Sequence, residues 1–382
     1  MISKEEKVLK IIEDNPTIEQ SEIAKLLNIK RSTVAVHISN LQKKGIIKGK
    51  GYIINKEDYV LGIGAANIDI YGKSLMKIRT HYDHPAQIVS DVGGVTRNII
   101  NNLAKLEIKT KLITAVGNDD NAKVIIEDCK VNGIDTSNIL KVNDDATGIF
   151  MQVQDENNDM HIALCDMSVL NAITPEYINK NKSLLTSAKI VLIDTSLRED
   201  TIEEIIKICK NKTPIYVDPI SDKYSLKLIP YIKDFEVIKP NKSELEKISG
   251  VKIEKGSDIE SACRKLLSKG LKKIFVSLGK DGILYMDNQG NKIRRKLKPI
   301  SNMINASGAG DASMAAIIYG TLKELNIEKT IDYGLAAGLA AIKSKRAVNE
   351  NMSVNLLNKI LKENKLWITK TIYQSHLKLK KL

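Results

Sequence analysis

From Tyr59 onward, short runs rich in β-branched residues alternate with segments of helical period. YVLGIGAAN, KLITAVG, KIVLIDT, PIYVDP, FEVIKPN and KIFVSLG each lead into a turn and usually a helix. Apolar runs of this length are strands covered on both faces, so the order predicts an α/β body: a mostly parallel sheet sandwiched by helices. Ligands of such sheets sit at the carboxyl ends of the strands, and these runs place their glycines and polar residues there. Two stretches depart from the alternation. GIFMQVQ and MHIALCD flank DENND and read as a β-hairpin over 148–166, and residues 69–91 read as further short strands. Together they predict a small β-sheet over the site, a lid.

Residues 1–55 follow another pattern. Val8, Leu9, Ile11 and Ile12 recur at helical spacing up to Asn15-Pro16, and Ile23, Ala24, Leu26 and Leu27 predict one buried face of a second helix. STVAVHISNLQKKG predicts a third, with Ser32 as N-cap, Val34, Ile38 and Leu41 inward, and Gly45 at its end. IIKGKGYII then predicts a hairpin. Three helices and a hairpin in this order resemble a winged helix-turn-helix domain. The resemblance implies DNA as a partner, with Lys30 to Lys44 as the recognition helix. Lys30, Arg31, Lys43 and Lys44, with Lys48 and Lys50 on the wing, would meet phosphates, and Ser32, Thr33 and His37 would reach base edges. A helical interaction module with solvated lysines is the alternative.

The formal charge of +13 carries little by itself, because lysine is frequent throughout the chain. LKLKKL closes a basic C-terminal tail, 361–382, which reads as a solvated end. No run approaches the roughly 18 consecutive apolar residues of a membrane span, and MISKEEKVLK lacks the apolar core of a secretory signal. The expectation is a cytoplasmic protein with no membrane partner. Cys129, Cys165, Cys209 and Cys263 lack CxxC spacing and the five histidines are dispersed, so neither set predicts disulfides or a metal site.

In NASGAGDASMAA, residues 305–316, small residues precede an aspartate where a helix begins. A helix N-terminus presents free N–H groups, and Gly308, Ala309 and Gly310 let an anion approach that backbone closely. Asp311 would then stand beside the anion, where a carboxylate can take a proton from an alcohol. Four further elements occur in order: GAANID (64–69), GGVTRN (93–98), PNKSE (240–244) and SLGKDG (277–282). With them the chain from about 59 to 360 resembles the ribokinase, or PfkB-type, carbohydrate kinases, whose signatures are GGxxxN and GAGD. The resemblance implies ATP and Mg2+. It implies Asp311 as catalytic base and Gly308, Ala309 and Gly310 as the anion hole. Asn241 and Glu244 match the NxxE motif that organises the phosphates and, indirectly through Glu244, the magnesium. Ser277, Gly279 and Gly282 match the nucleotide site, and Asn67, Asp69, Gly93, Gly94 and Asn98 match the sugar contacts. Amide and carboxylate side chains suit adjacent hydroxyls, which need donors and acceptors in pairs. Asn305 and Ser307 replace the Asp and Thr that many members carry, and the Asp position helps a monovalent-cation site, so the departure bears on potassium (K+).

Within the family, GGVTRNIINNLAKL, ALCDMSVLNAITPE and YVDPIS resemble pseudouridine kinases, with Cys165 where their pattern has Asn. This implies ATP-dependent phosphorylation of the 5'-hydroxyl of pseudouridine, with Asp166 reading the base from the lid hairpin and a DNA-binding domain regulating the enzyme's own operon. Another nucleoside or a free sugar such as ribose is the nearer alternative. A ligand-sensing transcription regulator on an inactive kinase fold is the alternative of another class. Arg97 is a candidate contact to a phosphorylated sugar or else a packing residue. Paired lid strands in the family imply a homodimer, which would present two DNA-reading helices to a palindromic site.

Overall fold

The computed structural model describes residues 3–48, 58–157, 159–298, 307–364 and 371–372. The chain divides into two compact units, Met1–Asp58 and Tyr59–Leu382.

The first unit packs three helices, α1 (Lys4–Asp14), α2 (Gln20–Leu27) and α3 (Arg31–Lys43), around Val8, Ile12, Ile23, Val34, Ile38 and Leu41. A reciprocal capping box opens α1: Glu6 N–H donates to Ser3 Oγ at 3.1 Å and Ser3 N–H to Glu6 Oε2 at 2.7 Å. Three details correct the reading from sequence. Leu26 is 67% exposed, because the buried face of α2 centres on Ile23, Ala24 and Leu27, and at about 100° per residue Leu26 falls on its flank. Lys30, not Ser32, is the N-cap of α3: Asn28 in a left-handed conformation ends α2, and the backbone is helical from Arg31. His37 does not stand on the outer face: its ring nitrogens are buried and Nδ1 lies 4.0 Å from Glu5 on α1. Lys50 and most of the expected hairpin lie outside the described residues.

In the second unit an eleven-stranded sheet runs through the described residues, formed by β1 (Val60–Ile63), β4 (Thr110–Val116), β5 (Ile134–Asp135), β6 (Ile139–Lys141), β9 (Ile190–Asp194), β10 (Ile215–Asp218), β11 (Val237–Ile238), β12 (Lys273–Ser277), β13 (Ile283–Asp287), β14 (Lys292–Arg295) and β15 (Thr371–Ile372). The order is β15-β14-β13-β12-β11-β10-β9-β1-β4-β5, with β6 also paired to β4. From β12 to β4 the neighbours are parallel, and β13, β14 and β15 add an antiparallel edge. Successive strand residues enter opposite cores. Leu61, Ile63, Val191 and Ile193 pack on one side of the sheet, while Val60, Ile190 and Leu192 pack on the other. That is why the runs read as continuously apolar; each fully buried Val, Leu or Ile contributes about 1.5–3 kcal/mol. Thr371–Ile372 pair with β14, so part of the tail joins the sheet instead of standing free. No helix of the described residues is long and apolar enough to cross a membrane.

The chain order runs outward from β1 in both directions, to β4 on one side and to β9 through β12 on the other, which makes β1 the topological switch point. A second sheet, β3 (Ala86–Gly93), β2 (Asn67–Ser74), β7 (Ile149–Gln154) and β8 (Met160–Asp166), grows from the carboxyl end of β1. Its register pairs Asp69 with Asp91 and Phe150, and Phe150 with Cys165, so these four share one face. Ile70, Ser90, Met151 and Leu164 share the opposite face.

Candidate active site

The site assembles where the strands of the large sheet end. Between β1 and α4 (Val95–Lys105), the buried carboxylate of Asp194 accepts from Ala65 N–H (2.9 Å), Thr96 N–H (3.2 Å) and Thr96 Oγ1 (2.7 Å), and also from Ser196. This ties the turn after β1 to the start of α4, and so fixes Asn67 and Asn98 relative to one another. Asn67 Nδ2 donates to Asp69 Oδ1 at 2.6 Å and Tyr71 Oη donates to Asp69 Oδ2 at 3.1 Å. A Cβ on Gly93 would stand 2.3 Å from that carboxylate, so only glycine leaves it room. Burial raises the Asp69 carboxyl above its ordinary range, against the lowering by Asn67 and Tyr71.

The helix Ala309–Leu322 opens on Gly308, which holds φ 77°; a Cβ there would stand 2.0 Å from the Ala347 carbonyl oxygen. Asp311, in the first turn, keeps part of its surface open and accepts from Asn98 Nδ2 at 2.9 Å. Its carboxyl is pushed up to about 7, first by burial and then by Asp218, against lowering by Asn98 and Lys239. Lys239 follows β11 and is buried; its Nζ lies 3.6 Å from Asp218 Oδ2 and 3.6 Å from where a Cβ on Gly310 would stand. A cation therefore adjoins the helix N-terminus expected to receive an anion.

Asn241 and Glu244 are bound reciprocally at the start of the helix Lys242–Ser249: Glu244 N–H donates to Asn241 Oδ1 (2.9 Å) and Asn241 N–H to Glu244 Oε2 (2.8 Å). Burial, then Asp218, pushes Glu244 up to about 7. Asp218, Glu244 and Asp311 are thus acids raised first by burial, Glu244 and Asp311 further by Asp218 and Asp218 further by Asp194, with one lysine among them. Of these, Asp218 and Glu244 offer the hard oxygen donors that suit a divalent cation. Among the described residues no three acids converge closely enough to cage a metal ion by themselves. Ser277 bridges Asn241 across the strand ends, and Gly279 and Gly282 shape the turn beyond it with φ 57° and 86°.

Asp166 departs from its expected place, and Arg97 takes one of its two open readings. Asp166 accepts from Ser168 N–H (3.0 Å) and Oγ (2.7 Å), and its register partner is Ile149, which puts it on the sheet face away from Asp69. Cys165, one residue earlier, is on the Asp69 face. Arg97 is buried, and its terminal nitrogens donate to the Val92 carbonyl, Asn98 Oδ1 and Asp128, so they point to groups within the protein. Sequence reading passed over Asp194, Asp218, Lys239, Tyr71 and Phe150. A lysine two residues before Asn241 in an apolar run, and aspartates ending β9 and β10, were the available signals.

Residues 57–353 match the model of the pfkB family carbohydrate kinases, and residues 3–48 match a winged helix-turn-helix DNA-binding model. An Escherichia coli (strain K12) protein described as the uncharacterized sugar kinase YeiI is 28% identical over 93% of this chain and 98% of its own length. The pseudouridine kinase of the same organism is 29% identical over 79% of this chain and 96% of its own. An E. coli chain solved in complex with ATP and Mg2+ superposes with a TM-score of 0.71 at 18% identity, covering 80% of this chain and all of that one.

Proposed function

Because this chain belongs to the pfkB family of carbohydrate kinases, and is a sugar or nucleoside kinase carrying a winged helix-turn-helix domain, we propose that its acceptor is the 5'-hydroxyl of pseudouridine. The contact of Asn98 with Asp311, which joins the GGVTRN motif to the proposed proton acceptor, supports the kinase chemistry, and the 29% identity to a pseudouridine kinase supports the choice of acceptor. In this reading Asn67 and Asp69 hold the ribose hydroxyls, and Asp311 takes the 5'-hydroxyl proton. The backbone N–H groups at Gly308, Ala309 and Gly310, with Lys239, receive the transferred phosphoryl group. Asp218 and Glu244 would face a phosphate-bound magnesium, which would supply neutralisation of phosphate charge. Ser277, Gly279 and Gly282 border the nucleotide. Phe150 and Cys165, facing the site from the small sheet, would meet the base in place of Asp166, and closure of that sheet would exclude water.

Steady-state rates across pseudouridine, uridine, other nucleosides and ribose test the assignment. The highest kcat/KM is expected for pseudouridine; faster turnover of ribose or uridine overturns it. The same panel in K+ and in Na+ tests the cation site, where the Asn305 substitution predicts weak K+ activation.

The second role is DNA binding by α3. Lys30, Arg31, Ser32 and Lys43 are exposed and Thr33 is half-buried, whereas Lys44 pairs with Glu5 at 2.6 Å. Affinity for the DNA upstream of its own gene should fall roughly tenfold or more between 50 and 200 mM salt, measured by fluorescence anisotropy. Binding that ignores salt, or is absent, removes this role.

The outward face of the small sheet carries exposed Ile88, Met151, Ile162 and Leu164, an apolar surface opposite the Asp69 face. This supports a homodimer through the paired lids. Sedimentation should give a dimer that Ile162→Glu with Leu164→Glu converts to monomer; a monomeric parent chain sinks the proposal.

A further inference from the structure

Asn98 makes its contact with Asp311 through one end of a side-chain amide whose two ends are nearly alike in shape. Unaided, the amide could turn its oxygen to the carboxylate, an acceptor facing an acceptor unless Asp311 carries a proton. The neighbouring side chain removes that freedom. Arg97 NH1 donates to Asn98 Oδ1 at 3.0 Å and to the Val92 carbonyl at 2.9 Å, while NH2 pairs with Asp128 on α5 (Asp120–Val131). A guanidinium has donors only, so it accepts the oxygen end of the amide and rejects the NH2 end. The arginine is 3% exposed and held from three directions, which makes its aim rigid.

Resting on the reading of Asp311 as base, we propose that Arg97 is a positioning residue that fixes the amide of Asn98 so that its NH2 group, not its oxygen, faces Asp311. That NH2 group donates more strongly to the ionised carboxylate than to the protonated acid, so the Asp128, Arg97, Asn98 chain favours the form of the base that accepts a proton. The sequence places Arg97 directly before Asn98 on α4; neighbours so placed point in different directions, which lets one face the α5 side and the other the site.

The test uses the full chain and the best acceptor from the panel. Asp218 at the end of β10, Lys239 after β11 and Asp69 on β2 also face Asp311, and Asp91, Lys105, Arg346 and Glu350 share a polar cavity of about 60 Å³ with Arg97. All are unchanged in the variants. Arg97→Met should lower kcat about tenfold or more with KM for ATP held within about twofold. The acid limb of kcat/KM should move up by about one pH unit, because the base loses its donor and binds its proton more tightly. Asn98→Ala should show the same displacement, and adding Arg97→Met to it should cost nothing further. Where Arg97→Met alone folds poorly for want of a partner to Asp128, the pair Arg97→Met with Asp128→Leu gives the same readout. A variant that melts earlier yet keeps the parent acid limb overturns the proposal, as does additivity of the two substitutions. Undiminished turnover in Asp311→Asn overturns the base assignment and this proposal together, and is visible without any change at 97.

Discussion

Asp311→Asn is expected to lower kcat roughly 10²–10⁴-fold, the usual range for losing a general base, while ATP affinity stays within about threefold. The substitution keeps shape and removes the proton acceptor. The parent carboxyl is pushed up to about 7, so kcat/KM of the parent should fall as pH drops below about 7, where a protonated Asp311 can no longer accept a proton. In the variant this acid limb should disappear. Steady-state kinetics over pH 5.5–9 together with calorimetric ATP binding check both expectations, and a variant of parental rate would leave a ligand-sensing regulator as the better account of the fold.

Lys239→Met should have the next largest consequence, a loss of roughly 10²–10³-fold in kcat/KM. Lys239 is buried, 3.6 Å from Asp218 and beside Gly310. In the proposed mechanism its removal takes away the cation that meets the transferred group, and it also leaves Asp218, Asp311 and Glu244 without the lysine that lowers them. Two shifts follow, both upward: KM for ATP rises, and the acid limb set by Asp311 moves to higher pH because the lysine lowers that carboxyl. The two variants are therefore separable, one erasing the limb and the other displacing it. Parental KM for ATP with a parental limb would take Lys239 out of the phosphate site.

The large sheet was legible because both of its faces are buried, so its strands appear as unbroken apolar runs such as KIVLIDT and PIYVDP. The glycine loops were legible for a related reason: close approach tolerates few residue types, as at Gly308 and Gly93. Faces at the lid hairpin were not. Whether Cys165 or Asp166 looks toward Asp69 depends on a register set by the DENND loop and by an irregularity at Val153/Gln154, and no composition signal reports that parity. Lys239 was hidden by a reasonable expectation that lysine is solvated, which fails where acids such as Asp218 surround it. His37 and Leu26 show the same limit in the first unit, where three short helices leave narrow apolar faces and one position decides inside from outside.

Asp69 and Ile70 are adjacent in sequence yet look out of opposite sides of one thin ribbon. A slip of β2 by a single residue would present isoleucine in place of Asp69 and set a carboxylate among Ile88, Met151 and Leu164. Both errors are penalised at once, so the ribbon has no inexpensive wrong alignment. A strand with an acid on one side and grease on the other thus polices its own pairing, and the carboxylate proposed to meet the acceptor also guards the strand against mis-threading.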